Sequence, residues 1–165
     1  VITEQPISEE TALNASNPYG ISKVTQENFA ALYRAQYGLQ VYCVRPFNHT
    51  GVGQRDSFVL PSFCKQVAEI EKSGRPGTIQ VGNLNIERDF SHEKQDDCST
   101  IYNVGSGTAY NLTELLEYVT KLSHQPISIE VDPARFRPSD QPRICCDHRR
   151  ITEALGWTPE DSVYD

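Results

Sequence analysis

Between Tyr19 and Tyr37 the apolar residues Ile21, Val24, Phe29, Leu32 and Tyr33 fall mostly three or four positions apart, the repeat of a helix with one buried side. Ser16-Asn17-Pro18 places a capping side chain and a proline where a helix begins, and Gly38 supplies a left-handed stop. A helix is therefore predicted over 19–37. The run 39–44 is short, apolar and rich in β-forming residues, which predicts a buried strand feeding a loop at Arg45-Pro46. Helix, tight turn and strand in this order predict an α/β protein. Phe58, Phe63, Val67 and Ile70 mark a second helix closed near Gly74, and short strands are predicted at 78–81 and 101–104. Asn111, with Glu114 three residues on, opens a third helix running to about His124. Residues 127–131 alternate as a half-exposed strand does, and Asp147 caps a last helix that Gly156 stops. Residues 1–15 are polar without periodicity, and no repeat or low-complexity linker interrupts the chain.

Length and composition narrow the function classes. At 165 residues, one folded domain with a core is expected, and 38% hydrophobic with 22% charged residues suits a soluble globular protein. A net charge of -7 and a pI near 5.1 argue against a nucleic-acid partner, because phosphate backbones are held by basic faces. No apolar stretch is long enough to span a bilayer and no signal-type leader is present, so a cytoplasmic address without membrane contact is the expectation. Cys43, Cys64, Cys98, Cys145 and Cys146 form no C-x-x-C pair and are read as reduced thiols, and the dispersed histidines predict no metal site.

Three groups of residues could carry chemistry. Tyr19 and Lys23, four apart, share one helical face, and an ammonium beside a phenol favours its anion, which suits proton exchange with a hydroxyl or carbonyl. With eight tyrosines in the chain a chance Y-x-x-x-K is common, so spacing alone does not decide this reading. The polar segment Arg45 to Gln54 follows a predicted strand, at the end where open α/β sheets bind ligands, although an ordinary surface loop has the same composition. Arg88, Arg135, Arg137 and Arg143 could hold a diphosphate and Asp140 ribose hydroxyls, while solvated side chains remain the alternative for each. Trp157 is expected to anchor the core, Cys145-Cys146 to end a buried strand, and the Glu9-Glu10 and Asp96-Asp97 pairs to be solvated.

Taken in order, these segments resemble the extended short-chain dehydrogenase/reductases, and within them the GDP-mannose branch. Asn17-Pro18-Tyr19-Gly20-Ile21-Ser22-Lys23 resembles the family's catalytic Y-x-x-x-K helix, and Arg45 to Gln54 is similar to its R-P-F-N-H-x-G-x-G-Q loop. Gly82-Asn83-Leu84 and Arg88-Asp89-Phe90 resemble its G-N-L and R-D-F signature, and Tyr102 to Gly107 its Y-N-V-G-S-G turn. Arg137-Pro138-Ser139-Asp140 and Leu155-Gly156-Trp157-Thr158-Pro159 resemble its R-P-x-D/E and closing L-G-W-x-P segments.

The resemblance implies an α/β chain forming the C-terminal portion of a Rossmann-like fold with its substrate-binding subdomain. Residues 1–50 would be a remnant of the NAD(P)-binding domain and 51–165 the sugar-nucleotide part, with 89–104 returning to the Rossmann sheet. It further implies Tyr19 as proton donor and Lys23 as the residue holding the nicotinamide ribose, with Arg45 also on the cofactor side. Asn48, Asn83, Arg88, Arg137 and Asp140 would bind a GDP-sugar. NADP or NAD would be the cofactor, and the Tyr19 helix would contribute to a homodimer. The R-P-F-N-H form of the loop is closer to the reductases of GDP-4-keto-6-deoxymannose than to the 4,6-dehydratases, which remain the alternative. Departures accompany the matches: the Gly-rich cofactor turn and the Ser or Thr of the catalytic set are absent, and only Ser91 to Thr100 stand where the family has a helical segment. The expectation is an incomplete copy, with a non-catalytic nucleotide-sugar-binding fragment as the reading from another class.

Overall fold

The computed structural model describes residues 5–91, 101–136 and 141–164. Helix α1, Pro18–Tyr37, begins as its sequence predicts: Asn17 is extended and its side-chain oxygen accepts the Gly20 N–H at 2.8 Å, with Pro18 at the first helical position. Gly38 ends it in the left-handed conformation at φ 64°, returning its N–H to Arg34 O. The next strand, β1, spans Cys43–Pro46 rather than 39–44, because its parallel partner β5, Ile101–Val104, opposes only those residues. Nor is it buried, since Val44 is 51% exposed.

The core lies further along the chain. Helix α2, Val59–Ser73, turns Leu60, Phe63 and Val67 inward at helical spacing. Strand β3, Gly77–Val81, pairs in parallel with β7, Ile127–Val131, and buries Ile79 and Val81. Helix α3, Leu112–Thr120, adds Leu112, Leu115 and Leu116 to the same cluster. Each such side chain stabilises the fold by roughly 1.5–3 kcal/mol through removal from water. The α3 helix stops before His124 because Glu71 takes over the next donors, accepting from Ser123 Oγ at 2.7 Å and His124 N at 2.9 Å.

Strand β4, Glu87–Ser91, joins the remaining pieces. It pairs antiparallel with β6, Ala109–Asn111, and in parallel with both β2, Asn48–His49, and β8, Arg143–Ile144. Its charged sequence hides a strand whose last three residues, Asp89, Phe90 and Ser91, are all buried.

The opening segment is also built in. Ile7 pairs with Cys146, donating to Cys145 O at 2.8 Å and accepting from Asp147 N at 2.9 Å. Glu9 is not solvated as expected: its side chain is 4% exposed and accepts the Asn103 N–H at 2.8 Å, and only Glu10 reaches solvent. Asn103, itself buried, donates its amide to Ile7 O at 2.9 Å. The final helix α4, Arg149–Leu155, has His148 rather than Asp147 at its N-cap; Asp147, one residue earlier, accepts the Arg149 N–H at 3.1 Å. Trp157 is half-buried and meets His148 edge to face instead of anchoring the core. Cys145 and Cys146 are buried but follow the short β8, itself not buried, instead of ending a buried strand; burial pushes the Cys146 thiol far up, which keeps it protonated and unreactive. Asp96-Asp97, Cys98 and the segment expected to lack a helix lie outside the described residues.

The α2–α3 junction has a pH signature. Bonds from Ser123 and then His124 hold the Glu71 carboxyl at about 2, below its ordinary 4.5. A depressed folded value stabilises above the unfolded value and is lost as pH falls through the folded one. Glu71→Gln should therefore lower the melting temperature at pH 7, with the gap to wild type closing between about pH 4.5 and 2. Melting curves followed across that range check it; a gap independent of pH would be inconsistent with this role for the carboxylate.

Candidate active site

The exposed opening of α1 presents Tyr19 and Lys23 together. The Lys23 ammonium lies 5.5 Å from the centre of the Tyr19 ring and bonds Gln26 Oε1 at 3.5 Å. Tyr19 is 72% exposed, and its backbone carbonyl accepts the Ser22 hydroxyl at 2.7 Å, which tightens the first turn. A phenol and a cation thus stand on one open face, where both can reach a bound molecule.

The loop after β1 is folded onto β4 and β5. Phe47 N–H donates to Val104 O at 2.8 Å, and Asn48 lies opposite Phe90 in the parallel register. Thr50 N–H reaches Ser91 O at 3.2 Å, while Gln54 donates to His49 O and accepts from Thr50 Oγ1, both at 3.1 Å. These bonds give the exposed Asn48 a fixed base.

A second cluster gathers at the ends of β3 and β7. Asp132 N–H donates to Val81 O at 2.8 Å, and Asp132 pairs with Arg135 at 3.5 Å in a short 3-10 turn, Pro133–Arg135. Gly82 packs so closely there that a Cβ would stand 3.0 Å from Arg135 O. Asn83, next along, accepts Asn85 N–H at 3.0 Å in a tight local turn. Arg88 donates from Nη1 to Gln141 O at 2.6 Å and to Glu87 O at 2.9 Å. Arg137 and Asp140 lie outside the described residues. Arg143 is drawn to Glu87 in an ion pair.

Arg45 is engaged within the chain. Its guanidinium forks onto the Glu27 carboxylate at 2.8 and 2.7 Å and donates to Glu9 O at 3.1 Å. The Glu27 bond, above all, holds the guanidinium above its ordinary value. Arg45 therefore ties the Tyr19 helix to the strand that leads, three residues on, to Asn48.

Asp89 has a role the sequence reading missed. Wholly buried, its carboxylate accepts Ser106 N and Ser106 Oγ at 2.7 Å and Gly107 N and Cys146 N at 2.9 Å. The Gly-rich turn thus wraps an internal anion, and those amide groups are not offered to a ligand phosphate. Glycine is required in it twice: a Cβ at 105 would sit 2.5 Å from Cys146 Cβ, and Gly107 has φ 73°. The signal in the sequence was an aspartate beside Phe90 in a segment followed by a Gly-Ser-Gly turn, a pattern common to many unrelated loops.

With this geometry in hand, comparison with known proteins places the chain. The family model for GDP-mannose 4,6 dehydratase matches residues 1–165. The chain belongs to this family. It lies in the GDP-mannose branch of the extended short-chain dehydrogenase/reductases, and its α/β fold is part of their Rossmann-like architecture. It is 33% identical to a GDP-6-deoxy-D-mannose reductase of Pseudomonas aeruginosa, over 96% of this chain and 56% of that protein. A GDP-mannose 4,6-dehydratase of Vibrio cholerae is 22% identical, over 100% of this chain and 55% of that protein. Among solved structures, RMD from Pseudomonas aeruginosa complexed with NADPH superposes with a TM-score of 0.84 at 30% identity, covering 97% of this chain and 57% of that one. The chain spans about half the length of the curated relatives it matches.

Replacing the buried Asp89 carboxylate should cost more than any surface change. Asp89→Asn keeps the volume but sets an NH2 group against N–H donors, and a loss of roughly 2–4 kcal/mol is expected. Urea unfolding measures it, and a midpoint unchanged within error would show that the four bonds are not supporting the fold.

Proposed function

We propose that this chain carries the proton-donor helix and the sugar-nucleotide side of an NAD(P)-dependent reductase of GDP-4-keto-6-deoxymannose. The observation that carries the reading is the Lys23 ammonium over the Tyr19 ring, 5.5 Å from its centre, at an exposed helix opening. The identity of 33% to a GDP-6-deoxy-D-mannose reductase supports the reductase over the dehydratase. So does the R-P-F-N-H form of residues 45–49. The dehydratase remains the second reading, favoured by the family model that spans residues 1–165. The Vibrio cholerae alignment, however, runs over 204 residues against 165 in this chain, so that pairing requires gaps.

The described residues fit one end of a nicotinamide dinucleotide. Tyr19 and Lys23 are exposed and can meet a ribose hydroxyl, whereas the amides of Ser106 and Gly107 are taken by Asp89 and cannot cradle the diphosphate. When bound, such a cofactor supplies the hydride that reduces the sugar C4 ketone. The Tyr19 hydroxyl donates the proton to the C4 oxygen as charge gathers there, and the Lys23 ammonium stabilises the phenolate left behind. Asn48, Asn83, Arg88, Arg137 and Asp140 hold the GDP-sugar in this reading, with Arg45 acting through α1. The division into a cofactor-side part, 1–50, and a substrate part, 51–165, is supported by the core, whose buried members run from Leu60 to Leu116. A cytoplasmic address belongs to the same reading; among the described residues no helix is long and apolar enough to cross a membrane.

The 165-residue chain alone is proposed to bind a GDP-sugar without turning it over. Calorimetric titration with GDP should show saturable heat, and GDP should raise the melting temperature. No heat and no stabilisation would count against the substrate side; NADPH oxidation by this chain with the keto sugar would count against its incompleteness. A homodimer through α1 is also proposed, supported by exposed Phe29, Leu32, Tyr33 and Tyr37 along that helix. Sedimentation should give a dimer that the double change Phe29→Glu/Tyr33→Glu converts to monomer, and a wild-type monomer at all concentrations would remove this part.

A further inference from the structure

We infer that Arg45 and Glu27 form a positioning pair, which docks the Tyr19 helix and keeps the Glu27 carboxylate away from Lys23. This rests on the proposed role of Tyr19 and Lys23, but its test needs neither substrate nor turnover.

Two observations lead to it. First, α1 has 20 residues and buries none of them, so packing alone does not set its orientation. Its Glu27 is held by the two-pronged Arg45 bond, with the two side chains only 19% and 20% exposed. Arg45 is in turn fixed from behind by the carbonyl of Glu9, whose carboxylate accepts Asn103 N–H in β5 and lies 3.7 Å from Arg150 of α4. The helix is thereby fastened through Arg45 to β1, the opening segment, β5 and α4. A bidentate guanidinium fixes direction as well as distance, which a lysine at the same place would not do.

Second, Glu27 lies one helical turn beyond Lys23, the spacing at which a lysine and a glutamate on a helix attract each other. A pair formed there would spend the charge that the proposed reaction needs beside Tyr19. In the structure the Lys23 ammonium faces the Tyr19 ring and Gln26, while Glu27 has both oxygens on Arg45. Arg45 thus acts on Lys23 without touching it. Removing the arginine leaves a partly buried carboxylate in search of a cation, and the nearest along the helix is Lys23.

The two singles therefore differ. In Arg45→Gln, α1 loosens and Lys23 is captured by Glu27; in Glu27→Gln, α1 loosens but Lys23 has no carboxylate to meet. A merely structural pair would give both variants the same signature. Hydrogen exchange read by mass spectrometry, on the whole 165-residue chain, should show α1 amides exchanging about tenfold faster or more in both singles, with α2, α3 and β3 unchanged. The charge reversal Glu27→Arg/Arg45→Glu should restore protection. In parallel, acylation of Lys23 by an amine-reactive ester should slow severalfold in Arg45→Gln and not in Glu27→Gln. The inference is overturned by wild-type exchange of α1 in either single, by loss of protection that spreads to the core, by no recovery in the reversal, or by Lys23 acylation that changes alike in both. Failure of GDP to bind would instead strike the proposed function and leave these readouts standing.

Discussion

The buried Asp89 carboxylate is the constraint around which the sheet is organised. A charge removed from water must be matched by donors, and here four converge on two oxygens from the 106–107 turn and from Cys146. Because the donors belong to segments far apart in sequence, satisfying the carboxylate fixes β5, β6 and β8 relative to β4 at once. The placement of Arg88 follows from this, since it is the neighbour of Asp89 in a strand that cannot shift without breaking those bonds. So does the base under Asn48, whose strand is registered on Phe90.

Two kinds of positioning meet in this chain. The proposed substrate side, with Asn83 and Arg88, stands on strands and turns continuous with the apolar core of α2, α3 and β3. The Tyr19 side stands on a helix whose outer stripe is exposed and whose attachment is electrostatic. The first kind is insensitive to salt and local charge, and the second responds to both. A net charge of -7 accentuates this, because each arginine committed to an ion pair leaves carboxylates elsewhere less compensated.

Much of the fold was legible from the sequence where signals were local. The α1 boundaries followed from Asn17, Pro18 and Gly38, and α2, β3, β5 and β7 from spacing and β-forming residues. What was not legible depended on partners distant in sequence. β1 took its bounds from β5 rather than from its own apolar run, Glu9 was buried by Asn103 and Arg150, and β4 was hidden by its charged residues. That Tyr19 and Lys23 share a helical face could be read from their spacing, though not what they do there, whereas the destination of the Arg45 guanidinium could not, because nothing in its neighbourhood names Glu27. The roles of Arg88 and Asp89 divide the same way: as adjacent letters they look alike in polarity, and only the fold turns one inward and the other to Gln141.

The pairing of the opening segment with the last strand has a kinetic consequence. Gln5 accepts the N–H of Cys145 across 140 positions, and Ile7 lies on Cys146 beside it. Contacts of such separation close a very long loop, so they form late and slow the overall folding rate. During synthesis, Gln5 and Ile7 must wait for Cys145 and Cys146 to leave the ribosome, whereas Glu9 can meet Arg45 and Asn103 earlier. The polar character of that stretch keeps it soluble through the delay, and the Glu9 carboxylate gains Arg150 only after Asn103 has become available to it.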